Sequence, residues 1–290
     1  MASLDAPVDK PPQGIAMTHR YRVFILRDFL LETYGLEYLK QGPIMDVAGG
    51  KGDTSWLLAN ADGIDSVVVD PRVTDGTKLA KAALWLFDNP ELAAERASPD
   101  SAGYEPLAAL HIKPPWTQPR HLKVFVDEHM VSAIKDGSDE AWQSYFEKTI
   151  ASANDSEGTM GHHQPKDLAT SDRDIRRITK AFEARATVLS TRLILGFHPD
   201  EATEAAIDLA LYLRVPFAVV PCCVFPKYFP FRRLSSGRSV SSFPDFIRYL
   251  REKDPKIRVG QLPFQSKHRV THEGGLARST VLYLLPDDFS

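Results

Sequence analysis

Apolar residues Val23, Phe24, Leu26, Phe29, Leu30 and Tyr34 recur near helical spacing within residues 19–40, and Gly35 and Gly42 then break the pattern. This predicts a helix ahead of the first strand. Residues 43–48 (PIMDVA) read as strand 1, a glycine-rich turn follows, and DTSWLLANA reads as a short helix. Residues 66–71 (SVVVDP) place three β-branched residues before an acid and a breaker, the pattern of strand 2. Residues 121–128 (HLKVFVDE) fit strand 3. Residues 191–200 (TRLILGFHPD), 216–225 (PFAVVPCCVF), 257–264 (IRVGQLPF) and 279–286 (STVLYLLP) fit strands 4 to 7.

Helical patterns lie between most of these strands: TKLAKAALWLFD, SDEAWQSYFEKTIASA with Ser138 as N-cap, SDRDIRRITKAFEARATVLS, EATEAAIDLALYLR and SFPDFIRYLREK. Strands that alternate with helices argue for a parallel sheet covered on both faces. The last two strands have no helix between them and should pair antiparallel. The expected fold class is therefore α/β, a Rossmann-like, mostly parallel seven-stranded sheet with a terminal antiparallel hairpin. The start, MASLDAPVDKPPQG, has no apolar h-region and reads as a disordered leader over residues 1–18. One domain is expected over residues 19–290, with insertions at about 74–120 and 130–172.

Composition changes this picture little. The 290 residues are 43% hydrophobic and 25% charged, as in ordinary globular proteins. No stretch approaches the ~20 apolar residues of a membrane span, so an intracellular protein, cytoplasmic or nuclear, is expected. The two cysteines, Cys222 and Cys223, are adjacent. That excludes a disulfide framework and a zinc site built on paired CxxC units. His162 and His163 have no carboxylate or cysteine at metal-ligand spacing, and no metal is expected.

Net charge is −3, but residues 221–280 hold twelve basic residues against four acids, which leaves −11 for the rest of the chain. The basic third is either a face for a polyanion or ordinary solvated charge. The aromatic run Phe225, Tyr228, Phe229 and Phe231 lies within it and is either a stacking surface for bases or part of the core.

The turn MDVAGGKGD carries the candidate chemistry. It fails as a Walker A loop, because Lys51 lies between glycines and Asp53 follows, and it does not give GxGxxG. An acid there would also repel a pyrophosphate. What remains is D-x-A-x-G-x-G, from Asp46 through Ala48 and Gly50 to Gly52, with Gly49 beside them. This resembles motif I of class I S-adenosylmethionine-dependent methyltransferases, [D/E]-x-G-x-G-x-G, with Ala48 in place of the first glycine. That cofactor has no phosphate and carries a positive sulfonium, so an acid is tolerated, and small residues let the backbone approach it.

Asp70, 18 residues after Gly52, is placed to hold both ribose hydroxyls, though an NAD site uses an acid there too and a turn role is the alternative. Asp127 is placed for an adenine contact or is a surface acid. DVAGGKG, VVDPR, HPDEATE and VPCCVFP together resemble a eukaryotic branch of methyltransferase-domain proteins. That branch is distantly similar to a tRNA 2′-O-methyltransferase family. The resemblance spans about residues 20–286 and implies S-adenosylmethionine as cofactor.

The same resemblance puts the loop after strand 4 beside the methyl group. His198 would orient or deprotonate a nucleophile there, or is a packed loop histidine. Asp200 would hold an acceptor, or caps the next helix. Cys222 and Cys223 would line the acceptor pocket, and a methyl relay through either needs a thiolate. RNA is the leading acceptor expectation. A cofactor-binding scaffold without activity and an NAD(P) oxidoreductase are the alternatives.

Overall fold

β1 (Ile44–Val47) runs through the middle of a seven-stranded sheet, with β2 (Ser66–Val69) on one side and β4 (Leu193–Phe197) on the other, both parallel to it. The computed structural model describes residues 22–72, 78–89, 91, 107, 110, 112–156, 170–263 and 279–289. The expected leader, His162, His163, Lys267, Arg269 and Arg278 lie outside the described residues. β3 (Arg120–Leu122) pairs parallel with β2, and β5 (Phe217–Val220) pairs parallel with β4. β7 (Thr280–Leu284) inserts antiparallel between β5 and β6 (Arg258–Gln261). The order β3-β2-β1-β4-β5-β7-β6 is the expected α/β plan with its terminal antiparallel pair. The chain changes direction across the sheet between β1 and β4, the switch point where such sheets bind ligands beyond their carboxyl ends.

Alternation along the strands feeds two cores. Ile44, Leu193, Leu195, Ala218 and Val220 face α1 (Arg22–Tyr34) and α3 (Asp53–Leu57) with Trp56, Leu57 and Leu30. Met45, Val47, Val69, Ile194 and Phe217 face the other side. There they meet α5 (Glu128–Asp136), α6 (Asp139–Ser156), α7 (Thr170–Leu189), α8 (Thr203–Leu213) and α9 (Phe243–Arg251). Each buried aliphatic side chain contributes about 1.5–3 kcal/mol. Two further α-helices are α2 (Leu36–Leu39) and α4 (Lys78–Asp88). Among the described residues no helix is long and apolar enough to cross a membrane.

Strand 3 departs from expectation. The apolar run predicted it over residues 121–128, but pairing stops at Leu122. Val124 and Val126 are buried in a non-ladder segment, and Asp127 caps α5 by accepting from the Met130 N–H at 2.9 Å. Apolar alternation reported burial here, not ladder pairing. Within the expected insertions at about 74–120 and 130–172 the described residues include α4, most of α5 and α6. Cys222 and Cys223 lie just past β5 instead of within it.

The β1–α3 turn is shaped by close approach. Gly52 has φ +74°, and a Cβ there would sit 2.8 Å from Val68 Cγ2. A Cβ on Gly49 would sit 2.7 Å from the Asp46 carboxylate. Ala48 occupies the left-handed region at φ 52°, where an alanine costs about 1–2 kcal/mol. Gly52→Ala is expected to lose at least about 2 kcal/mol. Ala48→Gly should match the parent or gain up to about 1 kcal/mol, since relieved strain outweighs added chain entropy. Denaturant midpoints read both changes; a tolerated Gly52→Ala would contradict this account of the turn.

Candidate functional site

Five segments meet at the carboxyl edge of the sheet around a cavity of about 660 Å³. Ala48 comes from the end of β1, and Val69, Asp70, Pro71 and Arg72 from the end of β2. The β3–α5 segment supplies Phe125 to Glu128, with Val131, Ser132 and Lys135 from α5. Pro199 to Ala202 follow β4, α8 adds Glu204, Ala205 and Asp208, and Phe229 arrives from the loop after β5. Ala48, Asp70, Asp127 and Asp200 of the expected site thus share one wall system.

Asp70 is fully buried as a residue, and its carboxylate is held from two sides. Oδ2 accepts from the Gly50 N–H at 3.0 Å and from Arg72 Nη2 at 2.8 Å. Oδ1 accepts from the Arg72 N–H at 3.0 Å and from Arg72 Nε at 2.9 Å. Burial pushes its pKa up, but Arg72 and the Gly50 amide outweigh this and hold it below the usual carboxylate range. Arg72 Nη2 also lies 3.9 Å from where a Gly50 Cβ would be, so its guanidinium covers the turn.

Asp46 sits elsewhere. It is 1% exposed, on the α3 side of β1, and absent from the cavity wall. Its Oδ2 accepts from Ser55 Oγ at 2.8 Å, and Ser55 Oγ lies 2.8 Å from Ser66 Oγ. Gly49 packs against this carboxylate, as described above. Asp46 therefore supports the turn from beneath. Burial pushes its pKa up to about 7; the Ser55 hydrogen bond opposes this, and the neighbouring charge of Asp70 adds to it.

His198 is not at the cavity wall. Its ring stacks on Phe197 at 4.6 Å, on the α1 side of the sheet, where Arg22 lies 5.5 Å from the Phe197 centroid. Asp200 does face the cavity, and no side-chain cap is made at the start of the 3₁₀ turn or of α8. Its Oδ1 accepts from Cys222 Sγ at 3.0 Å instead. Burial, and then this carboxylate, push the Cys222 thiol well up, so it is protonated at neutral pH and does not meet the thiolate requirement of a methyl relay. Cys222 and Cys223 stand behind Asp200 and do not line the cavity themselves.

Several wall residues have no place in the sequence reading. Glu204 and Asp208 stand four residues apart on α8, with Glu201 in the 3₁₀ turn before it, and the four-residue spacing is the signal that was available. Arg72 stands directly after the Asp70-Pro71 pair. Glu204 belongs to a network: Arg232 Nε reaches it at 2.6 Å and Lys253 Nζ at 2.8 Å, and Lys253 also reaches Asp208 at 2.8 Å. Arg232 stacks on Phe229 at 3.6 Å, which pins the loop after β5 to α8.

Seven carboxylates thus line the cavity against two cations, Arg72 and Lys135, with Arg232 and Lys253 pairing two of the acids from behind. Backbone strain clusters here too. Of five non-glycine residues with positive φ among those described, Ala48, His198, Asp200 and Phe225 lie in the loops after β1, β4 and β5. Such positions cost about 1–3 kcal/mol each and concentrate at functional sites.

No family model matches the chain, and no curated protein or solved structure matches it significantly.

The raised Asp46 pKa gives a stability signature. Between about pH 4 and 7 the native carboxyl keeps a proton that the unfolded chain releases, so stability falls as pH rises through that window. Asp70, held below its ordinary range, contributes the opposite slope at more acid pH. Asp46→Asn keeps an acceptor for Ser55 and removes the first slope. Its stability relative to the parent is expected to rise between pH 5 and 8 by on the order of 1–3 kcal/mol. Parallel melting-temperature profiles across that range would refute the buried acid's role.

Proposed function

We propose that this chain is a class I S-adenosylmethionine-dependent methyltransferase. The observation that carries the reading is the use of the Gly50 amide. It points to the Asp70 carboxylate, so the glycine turn presents an acid to the cavity where a dinucleotide site would aim amide donors at a pyrophosphate. The excess of carboxylates around the cavity agrees, since a sulfonium and an α-ammonium are attracted where a pyrophosphate is repelled. An NAD(P) oxidoreductase is disfavoured on the same two grounds.

When bound, the cofactor supplies an electrophilic methyl group on sulfur. The chain's residues then bind and align. The Gly50 and Arg72 backbone amides orient the Asp70 carboxylate, which would hold the ribose hydroxyls in place of its present contacts with the Arg72 side chain. Val69, Pro71 and Phe125 offer apolar surface for a purine, and Asp127 lies beside them. Asp200 and Glu201 face the acceptor side, where either carboxylate can hold a donor group or take its proton. Alignment and exclusion of water are the main contributions asked of the protein.

One observation favours the second reading, a binding scaffold without activity: His198 stacks on Phe197 and supplies no base at the cavity. An amine acceptor needs none beyond a carboxylate. RNA as acceptor is supported by Tyr228 and Phe231, which are 75% and 89% exposed beside the cavity residue Phe229. Against it, Arg232, Arg238, Lys253 and Arg258 of the basic third are paired with Glu204, Asp245, Asp208 and Asp288. An RNA would have to insert a base between acidic walls, not lay its backbone along them.

Calorimetry with S-adenosylhomocysteine is expected to show one saturable site on the full chain. Asp70→Asn should weaken it ten- to a hundredfold, the loss of charge-assisted hydrogen bonds worth about 1.5–3 kcal/mol. Saturation by NADH, or an Asp70→Asn variant that binds like the parent, would overturn the assignment. Labelled-methyl transfer to fractionated extract then separates enzyme from scaffold.

A further inference from the structure

The loops after β4 and β5 bring three donor side chains together behind the cavity. Asp200, Cys222 and Cys223 each offer one ligand atom, and these atoms all lie within 4.8 Å of one another. Cys222 Sγ is already 3.0 Å from Asp200 Oδ1. The two cysteines are half-buried and neither is in a disulfide. The chain contains no other cysteine.

The donor types select the ligand class. Magnesium and calcium take six or more oxygens and gain nothing from thiols. Zinc and the borderline-soft divalent ions near it bind sulfur with oxygen or nitrogen, usually in a tetrahedron. With metal–sulfur bonds of about 2.3 Å and metal–oxygen bonds of about 2.0–2.2 Å, tetrahedral donors stand roughly 3.3–3.8 Å apart. The present donor separations, 3.0 Å between Cys222 Sγ and Asp200 Oδ1 and none above 4.8 Å, are of that order. We propose that Asp200, Cys222 and Cys223 form a binding site for a zinc-class divalent ion, with a fourth position left for water or a ligand. The absence of CxxC spacing had argued against a metal, but the third donor comes from a different strand's loop.

The exchange balances without redox chemistry. The Cys222 proton now directed at Asp200 and the Cys223 proton pass to solvent as two sulfur–metal bonds form, and the carboxylate changes from hydrogen-bond acceptor to ligand. Because Asp200 also lines the cavity, the ion would stand next to the acceptor side and tie the β4 and β5 loops together. The site does not depend on the methyltransferase reading.

Cobalt(II) is the probe, added to the reduced full-length protein. One equivalent is expected to produce a near-ultraviolet sulfur-to-cobalt charge-transfer band and tetrahedral visible bands, both abolished by added zinc. With only two cysteines in the chain, that band reports this site alone. Cys222→Ser and Cys223→Ser should each remove about half of the band or more, and Asp200→Asn should weaken cobalt affinity at least tenfold. Circular dichroism checks that the variants fold. In case they do not, alkylation of the parent by iodoacetamide gives a second readout: zinc should slow it at least tenfold at both cysteines. No charge-transfer band with the parent, a band that survives in the double serine variant, or alkylation indifferent to zinc would each overturn the site.

Discussion

The 3.0 Å hydrogen bond from the Gly50 amide to the Asp70 carboxylate joins the turn after β1 to the end of β2, and the candidate site is arranged around it. For the amide to reach that oxygen the chain must turn sharply, with left-handed backbone at Ala48, Gly50 and Gly52. Gly49 can have no side chain because the Asp46 carboxylate occupies the space. Two acids thus grip one turn from opposite faces, Asp46 from beneath through Ser55 and Asp70 from the cavity. Their protonation tendencies diverge for the same reason. Asp46 is buried with a hydroxyl as its partner, while Asp70 has a guanidinium and two amides. Similar side chains at two strand ends therefore do different work: one supports, the other presents its charge.

Charge is segregated in the same way. The acids of α8 and the β4 loop turn toward the cavity, while four basic residues of the C-terminal third pair with acids of the chain. Arg232 and Lys253 are spent on Glu204 and Asp208, and Arg258 on Asp288. Removing Glu204 would leave the buried Arg232 guanidinium without its carboxylate, which is far more costly than the pair is stabilising, whereas Glu204 without Arg232 keeps Lys253. The network's role is positional. It holds Phe229 at the wall and leaves Tyr228 and Phe231 exposed beside it.

The fold was largely legible because its signals are local. The strand runs over residues 43–48, 66–71 and 191–200, each followed by helical spacing, marked β1, β2 and β4, and the missing helix before the last strand marked the antiparallel pair. Strand 3 misled because residues 124–126 are buried without being paired, and alternation reports burial. The site was legible only where residues adjoin a strand end. Ala48, Asp70 and Asp200 were placed at the cavity that way, while Asp127, expected at the end of a longer strand 3, reaches the wall as the cap of α5. Arg72, Glu204, Asp208 and Phe229 were not assigned, since side-chain reach and loop return are tertiary facts. His198 shows the converse: a catalytic residue type in the expected loop, directed to the other face of the sheet by its stacking on Phe197.

Asp200 belongs to two environments, and that couples them. Its carboxylate contributes negative charge to the cavity and accepts the Cys222 thiol proton behind it. An ion held by Asp200, Cys222 and Cys223 would bring two positive charges and two thiolates, while withdrawing the carboxylate into its coordination sphere. The set of ion and ligands carries a net charge of about −1, the same as the lone carboxylate it replaces, so the cavity's attraction for a cation is preserved at long range. What changes is local: the Asp200 carboxylate at the cavity wall would be fixed in place, and the loops after β4 and β5 would lose freedom. Linkage then works through order instead of charge. A ligand that needs those loops ordered binds better once they are tied, and by reciprocity it tightens the hold on the ion.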